Sequence, residues 1–265
     1  MSQNNVQSKE ELLTFGGHLE VLRQMLFRIL GVSGIISVIA FYFKDTTWEL
    51  LLAPSEWNFC TYRGLEWVMH VMGINFHFEE YHVNLIATDL SSQFMTHIST
   101  AVYLGLLGAS PYILYELFKF VSPALYENEK KYSVQVAGTI YLLFIVGVLM
   151  SYFVLFPISF RFLGTYSVSE RVVSNITLDS YISTFISLTL VMGIVFQLPV
   201  IASFLAKMGF VNSEMLSKYR RHAFVVIMMV AAIITPPDIM TLILVTIPLY
   251  MLFEISIRVV KWIEK

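Results

Sequence analysis

Charge and cysteine are what this chain has least of. Only 14% of its 265 residues are charged, where soluble domains carry about a quarter. Hydrophobic residues make up 57%, and the mean hydropathy is +0.70. These proportions exclude a soluble globular domain and point to a protein that lives in lipid. Cys60 stands alone, so no intramolecular disulfide and no zinc spacing is available. The longest basic cluster is Lys218-Tyr219-Arg220-Arg221, too little for a nucleic-acid face. No G-x-x-x-x-G-K phosphate loop, H-E-x-x-H zinc pair or G-x-S-x-G nucleophile turn occurs. Within the apolar runs the ionisable residues are Arg28, near an end and able to snorkel, and His97, expected to hydrogen-bond a neighbouring helix. A proton-coupled carrier would keep acids near mid-bilayer. No catalytic residue, metal set or cofactor is therefore expected. An intramembrane enzyme is disfavoured, and a small-solute secondary transporter, the alternative reading, lacks the internal repeat and the buried ions it would need.

What is present is a series of apolar runs. A polar start, residues 1–10, leads through an amphipathic stretch from Leu12 to Arg28 into a first span, and no cleavage site follows, so it reads as retained. The pattern predicts an all-α polytopic membrane protein, one integral domain over 1–265. Its six spans are expected near 25–43, 93–114, 134–160, 181–205, 223–235 and 239–253, with Pro111 and Pro199 kinking theirs. The third, at 27 residues, is about 40 Å long and must tilt or project; the last two, at 13 and 15, form a hairpin of about 20 Å with its tip at Thr235-Pro236-Pro237-Asp238. Such a hairpin is 8–10 Å too short for a core of roughly 30 Å, and local thinning of the lipid is one expectation from it. Residues 44–92 hold Trp48, Trp57 and Trp67 and read as an aromatic cap, with Phe76 to Glu79 alternating like a short strand.

Six spans put both termini on one side. That side's segments hold 13 of the 17 Lys and Arg, the other side only Lys44, Arg63, Arg161 and Arg171. The acids split nine to ten, so the bias is cationic, and it places both termini in the cytoplasm with the cap outside.

Between the second and third spans lies Phe120-Val121-Ser122-Pro123-Ala124-Leu125-Tyr126-Glu127-Asn128-Glu129-Lys130-Lys131. Pro123 stops the arriving helix, and two carboxylates then face the cytoplasm beside lipid, where they can accept from a cationic peptide. Phe120, Pro123, Leu125, Tyr126, Glu129 and Lys130 meet the pattern F-x-x-P-x-L-Y-x-x-E-[RK]. His18-Leu19-Glu20-Val21-Leu22-Arg23 is close to H-L-x-x-L-R, Phe196-Gln197-Leu198-Pro199 to F-[EQ]-x-P, and Thr235 to Asp238 to T-P-P-D, followed by Pro248, Tyr250 and Glu254. Four motifs in order, from Leu12 to Phe253, resemble the TatC family of twin-arginine translocases.

The resemblance implies a concave, glove-like bundle of six tilted helices in the inner membrane. It implies a receptor that binds twin-arginine signal peptides of folded cargo and assembles with single-span TatA- and TatB-type subunits in an oligomeric complex driven by the proton-motive force. Carried over residue by residue, the signal-peptide site comprises Glu129, Glu20, Phe120, Leu125, Tyr126, Lys130 and Arg23. The partner site comprises Gln197, Pro199, Thr235 and Asp238. The chain departs from the family where Glu20 precedes the usual motif acid by one residue, with Val21 in its slot, so the carboxylate points about 100° away round the helix. Gln197 stands where many relatives have Glu, and Leu242 where Gln is common.

Overall fold

A computed structural model describes residues 15–75, 77–121, 130–167, 169, 175–235 and 238–264. The fold is helical. The first helix, α1 (Phe15–Tyr42), is unbroken, and it leads into α2 (Lys44–Leu52) and α3 (Cys60–Val71) of the cap. The return passage is α4 (Ser92–Gly108) and α5 (Ser110–Val121), bent by 55°. Pro111 opens α5 and has no N–H for the carbonyl four residues earlier, which accounts for the bend. Helix α4 lies so close to α1 that a Cβ on Gly105 would come within 2.6 Å of the Ser33 carbonyl.

The third passage is α6 (Lys130–Met150), a π-helical turn over Ser151–Leu155 and α7 (Phe156–Thr165). Pro157, in the first turn of α7, has no N–H for the Phe153 carbonyl. The hydroxyl of Thr61 donates to that carbonyl instead, and Tyr62 Oη donates to the carbonyl of Pro157 at 2.8 Å. The π turn is thus where the cap is fastened.

The fourth passage is α8 (Leu178–Val195) and α9 (Leu198–Lys207), interrupted at Phe196-Gln197 because Pro199 sits in the first turn of α9. Helix α8 crosses α6 at Gly147, where a Cβ would meet the Met192 carbonyl at 2.6 Å. Short α10 (Ser213–Lys218) precedes α11 (Arg220–Ile234) and α12 (Ile239–Ile263), which pack on each other.

The core is aromatic. Phe156, Phe160, Tyr181 and Phe185 form edge-to-face pairs with centroids 5.0 Å apart, worth about 0.5–1.5 kcal/mol each beyond area burial. Tyr181 Oη reaches across to the Leu51 carbonyl at 2.7 Å. In the cap, the Arg161 guanidinium from α7 lies 4.6–5.0 Å from the centroids of Tyr62, Phe78 and Tyr81 and donates to the Glu79 carbonyl. Burial raises the phenol pKa of both Tyr62 and Tyr81 above the ordinary value.

Several expectations change. Residues 77–80 form no strand; the Phe78 N–H is taken by the Glu66 carboxylate at 2.7 Å. The strand pairing described is parallel, β1 (Leu85–Ile86) beside β2 (Ile176–Thr177). The last helix does not stop near Phe253 but runs 25 residues, because Glu254, which ends the apolar run, is matched by Arg220 of α11 at 2.9 Å. Only α11, at 15 residues and about 22 Å, is short. His97 makes no interhelical hydrogen bond: its ring stacks on Phe41 at 4.2 Å, and its buried Nε2 is without a partner. Trp57 and Trp67 are exposed, so the cap's inner face is built from Trp48, Leu51, Phe59, Tyr62 and Tyr81. Among the described residues four helical stretches are long and apolar enough to span a membrane, and the bent α4–α5 pair makes a fifth.

Candidate functional site

The first candidate site is at the end of the bundle away from the cap, where α1 begins, α5 ends and α6 starts. Helices α1 and α5 are joined there by Arg28 and Glu116, whose Nη1 and Oε2 are 3.6 Å apart. Glu116 is 6% exposed, and a buried carboxylate needs such a partner. Phe120 follows one turn after Glu116 and is half-buried at the end of α5. Lys130 heads α6. Leu125, Tyr126 and Glu129 lie outside the described residues, between those two helix ends.

On α1, Glu20 and Arg23 are both exposed and engage each other, Arg23 Nη2 donating to Glu20 Oε1 at 2.7 Å; Gln24 adds a second donor at 3.1 Å. Glu20 thus already holds one guanidinium. An exposed pair one turn apart contributes only about 0.3–0.5 kcal/mol, so an incoming guanidinium can replace it.

The second candidate site is the break between α8 and α9. Gln197 Nε2 donates to the carbonyls of Ile140, at 3.2 Å, and Gly193, at 3.4 Å. Its Oε1 is buried and has no partner, so the amide keeps an acceptor available for another polar group. Pro199 is buried and produces the break. At the hairpin tip, Thr235 is buried and donates to the Ala231 carbonyl at 2.9 Å, and Asp238 caps α12 by accepting the Thr241 N–H at 2.7 Å. Both tip residues are occupied in ending one helix and starting the next; Pro236 and Pro237 lie outside the described residues.

The family model for "Sec-independent protein translocase protein (TatC)" matches residues 17–248. A protein of that name from Blattabacterium sp. subsp. Periplaneta americana is 32% identical over 264 residues, 98% of this chain and 99% of its own length. The chain belongs to the TatC family. The TatCy protein of Bacillus subtilis is 37% identical over 179 residues, 68% of this chain and 70% of its own. The solved structure "Crystal Structure of Twin Arginine Translocase Receptor- TatC" superposes with a TM-score of 0.74 at 30% identity, covering 94% of this chain and 100% of that one.

As a TatC-family protein, the chain is a membrane-embedded component of the Tat protein translocase, a family that transports proteins. The motif reading therefore reached the family, while two features of the sites escaped it. Glu116 falls just beyond a second span that ends at residue 114; its signal is an acid four residues ahead of motif residue Phe120, on the same helical face. The second is a carboxylate network at the same end of the bundle. Glu254 accepts from Arg220 Nη2 at 3.0 Å and from Tyr250 Oη at 3.2 Å, and Glu264 accepts from the Ser213 N–H at 2.7 Å.

Proposed function

We propose that this chain is the receptor core of the twin-arginine translocase, binding twin-arginine signal peptides at its cytoplasmic face. The observation that carries the reading is the run Phe120 to Lys130, which holds every residue of the family's loop pattern in a chain that belongs to the family. Two guanidiniums need carboxylate acceptors, and charge-assisted pairs beside lipid are stronger than exposed ones. Glu129 is the principal acceptor and Glu20 the second, freed when the incoming peptide displaces Arg23; Phe120, Leu125, Tyr126 and Lys130 wall the loop. Six passages with both termini in the cytoplasm agree with the placement of 13 of 17 cationic residues. Single-span TatA- and TatB-type subunits dock at Gln197, through the Oε1 left without a partner, with Pro199 setting the break and Thr235 and Asp238 shaping the adjacent tip. Transport draws on the proton-motive force.

Photocrosslinking from position 125 or 126 to a twin-arginine signal peptide in membranes tests the reading. A crosslink lost with Glu129→Ala, in a protein that still inserts, is expected, together with loss of export. Unchanged export in that variant would remove Glu129 from its role. Glu20→Ala is expected to have the smaller effect, since its carboxylate is turned from the family's azimuth, and a larger loss there would reverse the order of the two acids.

A further inference from the structure

Some buried hydroxyls on the helices of this chain satisfy themselves by donating to the carbonyl four residues earlier, while Ser33, Ser110 and Ser159 stand without a partner one to a helix. Thr189, Thr235, Thr246 and Ser256 make that bond, at 2.7–2.9 Å. Thr96 and Thr100, one turn apart on α4, do not: they are 2% and 0% exposed, and neither Oγ1 has a partner. A hydroxyl without a hydrogen bond in an apolar surrounding costs about 1–3 kcal/mol, so two side by side on one helix need an explanation.

Thr96 opens onto a cleft of about 350 Å³ between α4 and α8, at the cap end of the bundle. Ser99 lies beside it on α4, and the α8 wall carries Asp179, Ser183 and Ser187 at four-residue intervals, one polar stripe along a helix face. Ile182, Ile186 and Val191 complete the wall. From Asp179 to Val191 the cleft follows α8 for about 18 Å, more than half of a core of roughly 30 Å. Asp179, Ser183 and Ser187 are exposed in the cleft. Facing hydrocarbon, these groups would each carry a desolvation cost with nothing to offset it.

We propose that this cleft is an aqueous inlet: it takes water and small cations, hydronium included, from the face that bears the cap. It leads them past Thr96, behind which Thr100 lies one turn deeper on α4, and carries them along α8 to the level of Ser187 and Val191, beyond mid-membrane. Water supplies the donors and acceptors these hydroxyls lack, and a volume near 350 Å³ holds about ten molecules at about 30 Å³ each. Asp179 at the mouth sets the sign of the field there and favours cations over anions. Polar side chains on any segment lying along α4 and α8 would be solvated half-way across the bilayer. The inference goes beyond the receptor reading and rests on it only for which face is outer.

The test is cysteine accessibility in the full-length chain reconstituted in vesicles, in a Cys60→Ser background because Cys60 is exposed. Ser183→Cys, Ser187→Cys and, as the comparison, Ile194→Cys, which is 60% exposed on α8, are treated with charged methanethiosulfonates. The thiolate is the reacting form and hydrocarbon excludes charge, so Ser187→Cys is expected to react on the order of 100-fold faster than Ile194→Cys. The cationic reagent should outpace the anionic one severalfold at low salt, and Asp179→Asn should abolish that preference. Equal rates at Ser187→Cys and Ile194→Cys would overturn the inlet, as would a reactive Ser183→Cys beside an inert Ser187→Cys. Vesicles of known orientation keep the two readings separate: an inlet labelled from the cytoplasmic side stands, while the proposed orientation falls.

Discussion

Arg28 reads in the sequence as a residue that snorkels to the interface, yet it pairs with Glu116, and that pairing is what ties α1 to the helix carrying Phe120. Arg28→Met leaves a buried carboxylate without its cation, and the expected loss is about 1 kcal/mol, the lower end of the range for such orphaned groups because the Arg28 side chain is half in solvent. Thermal unfolding in detergent measures it. Adding Glu116→Gln to that variant should recover most of the loss, since the amide carries no charge to desolvate. At the other polar contact of this end, the Ser213 N–H and hydroxyl hold the Glu264 carboxyl below the usual carboxylate range. A carboxyl with a lowered pKa stabilises while ionised, so the Ser213–Glu264 clamp should be complete at pH 7 and lost in acid, as the pH falls through that lowered pKa. Spin labels at the exposed positions Met215 and Trp262 would show a narrow distance distribution at neutral pH that broadens in acid. Ser213→Ala should broaden it at pH 7.

Among the elements, the helices legible in the sequence were those whose apolar run is their whole reason for existing. Those set by a tertiary partner were not. Helix α12 passes through Glu254, Arg258 and Lys261 because Arg220 and Tyr250 engage Glu254, and hydropathy alone ends it ten residues early. Pro111 and Pro199 were readable as breaks, since a missing N–H acts locally whatever lies nearby. The π turn was not, because what accounts for it is the pairing of the Phe153 carbonyl, left without an N–H by Pro157, with a hydroxyl 92 residues before Phe153. The unequal hairpin narrows the thinning argument to α11. Four leucines inserted after Ile234 would bring that helix from about 22 to about 28 Å. If the short helix thins the bilayer, insertion and signal-peptide crosslinking should be preserved while transport falls; normal transport would make its length incidental. At the tip, Asp238→Ala removes the α12 cap and should cost about 1 kcal/mol, read as a lowered unfolding midpoint.

For the whole molecule, the aromatic cap was anticipated from three tryptophans, yet two of them face outward and the attachment depends on Arg161 instead. One of three arginines on the cation-poor side, it gave no hint in the sequence that three rings converge on it. Arg161→Gln should weaken the cap's hold by about 2 kcal/mol, given three ring faces around one guanidinium. Proteolysis from the cap side should then cut within residues 77–91 at lower protease concentrations than in the native protein. The loop residues proposed to bind the signal peptide are legible through their order in the sequence, while the cleft between α4 and α8 was invisible, since its stripe of Asp179, Ser183 and Ser187 acquires meaning only opposite Thr96.

The bond from Tyr181 to the Leu51 carbonyl spans 130 residues of chain. Helix α2 therefore emerges from the ribosome long before its partner exists: at roughly 5–20 residues per second the interval is about 6 to 26 seconds. Throughout it the Leu51 carbonyl lacks Tyr181, and the Tyr62 hydroxyl, though Tyr81 is soon within its reach, lacks the Pro157 carbonyl until α7 is made. The cap is thus among the first parts translated and the last to close, and a nascent chain whose fourth passage fails to arrive would be left with that seam open to quality-control proteases.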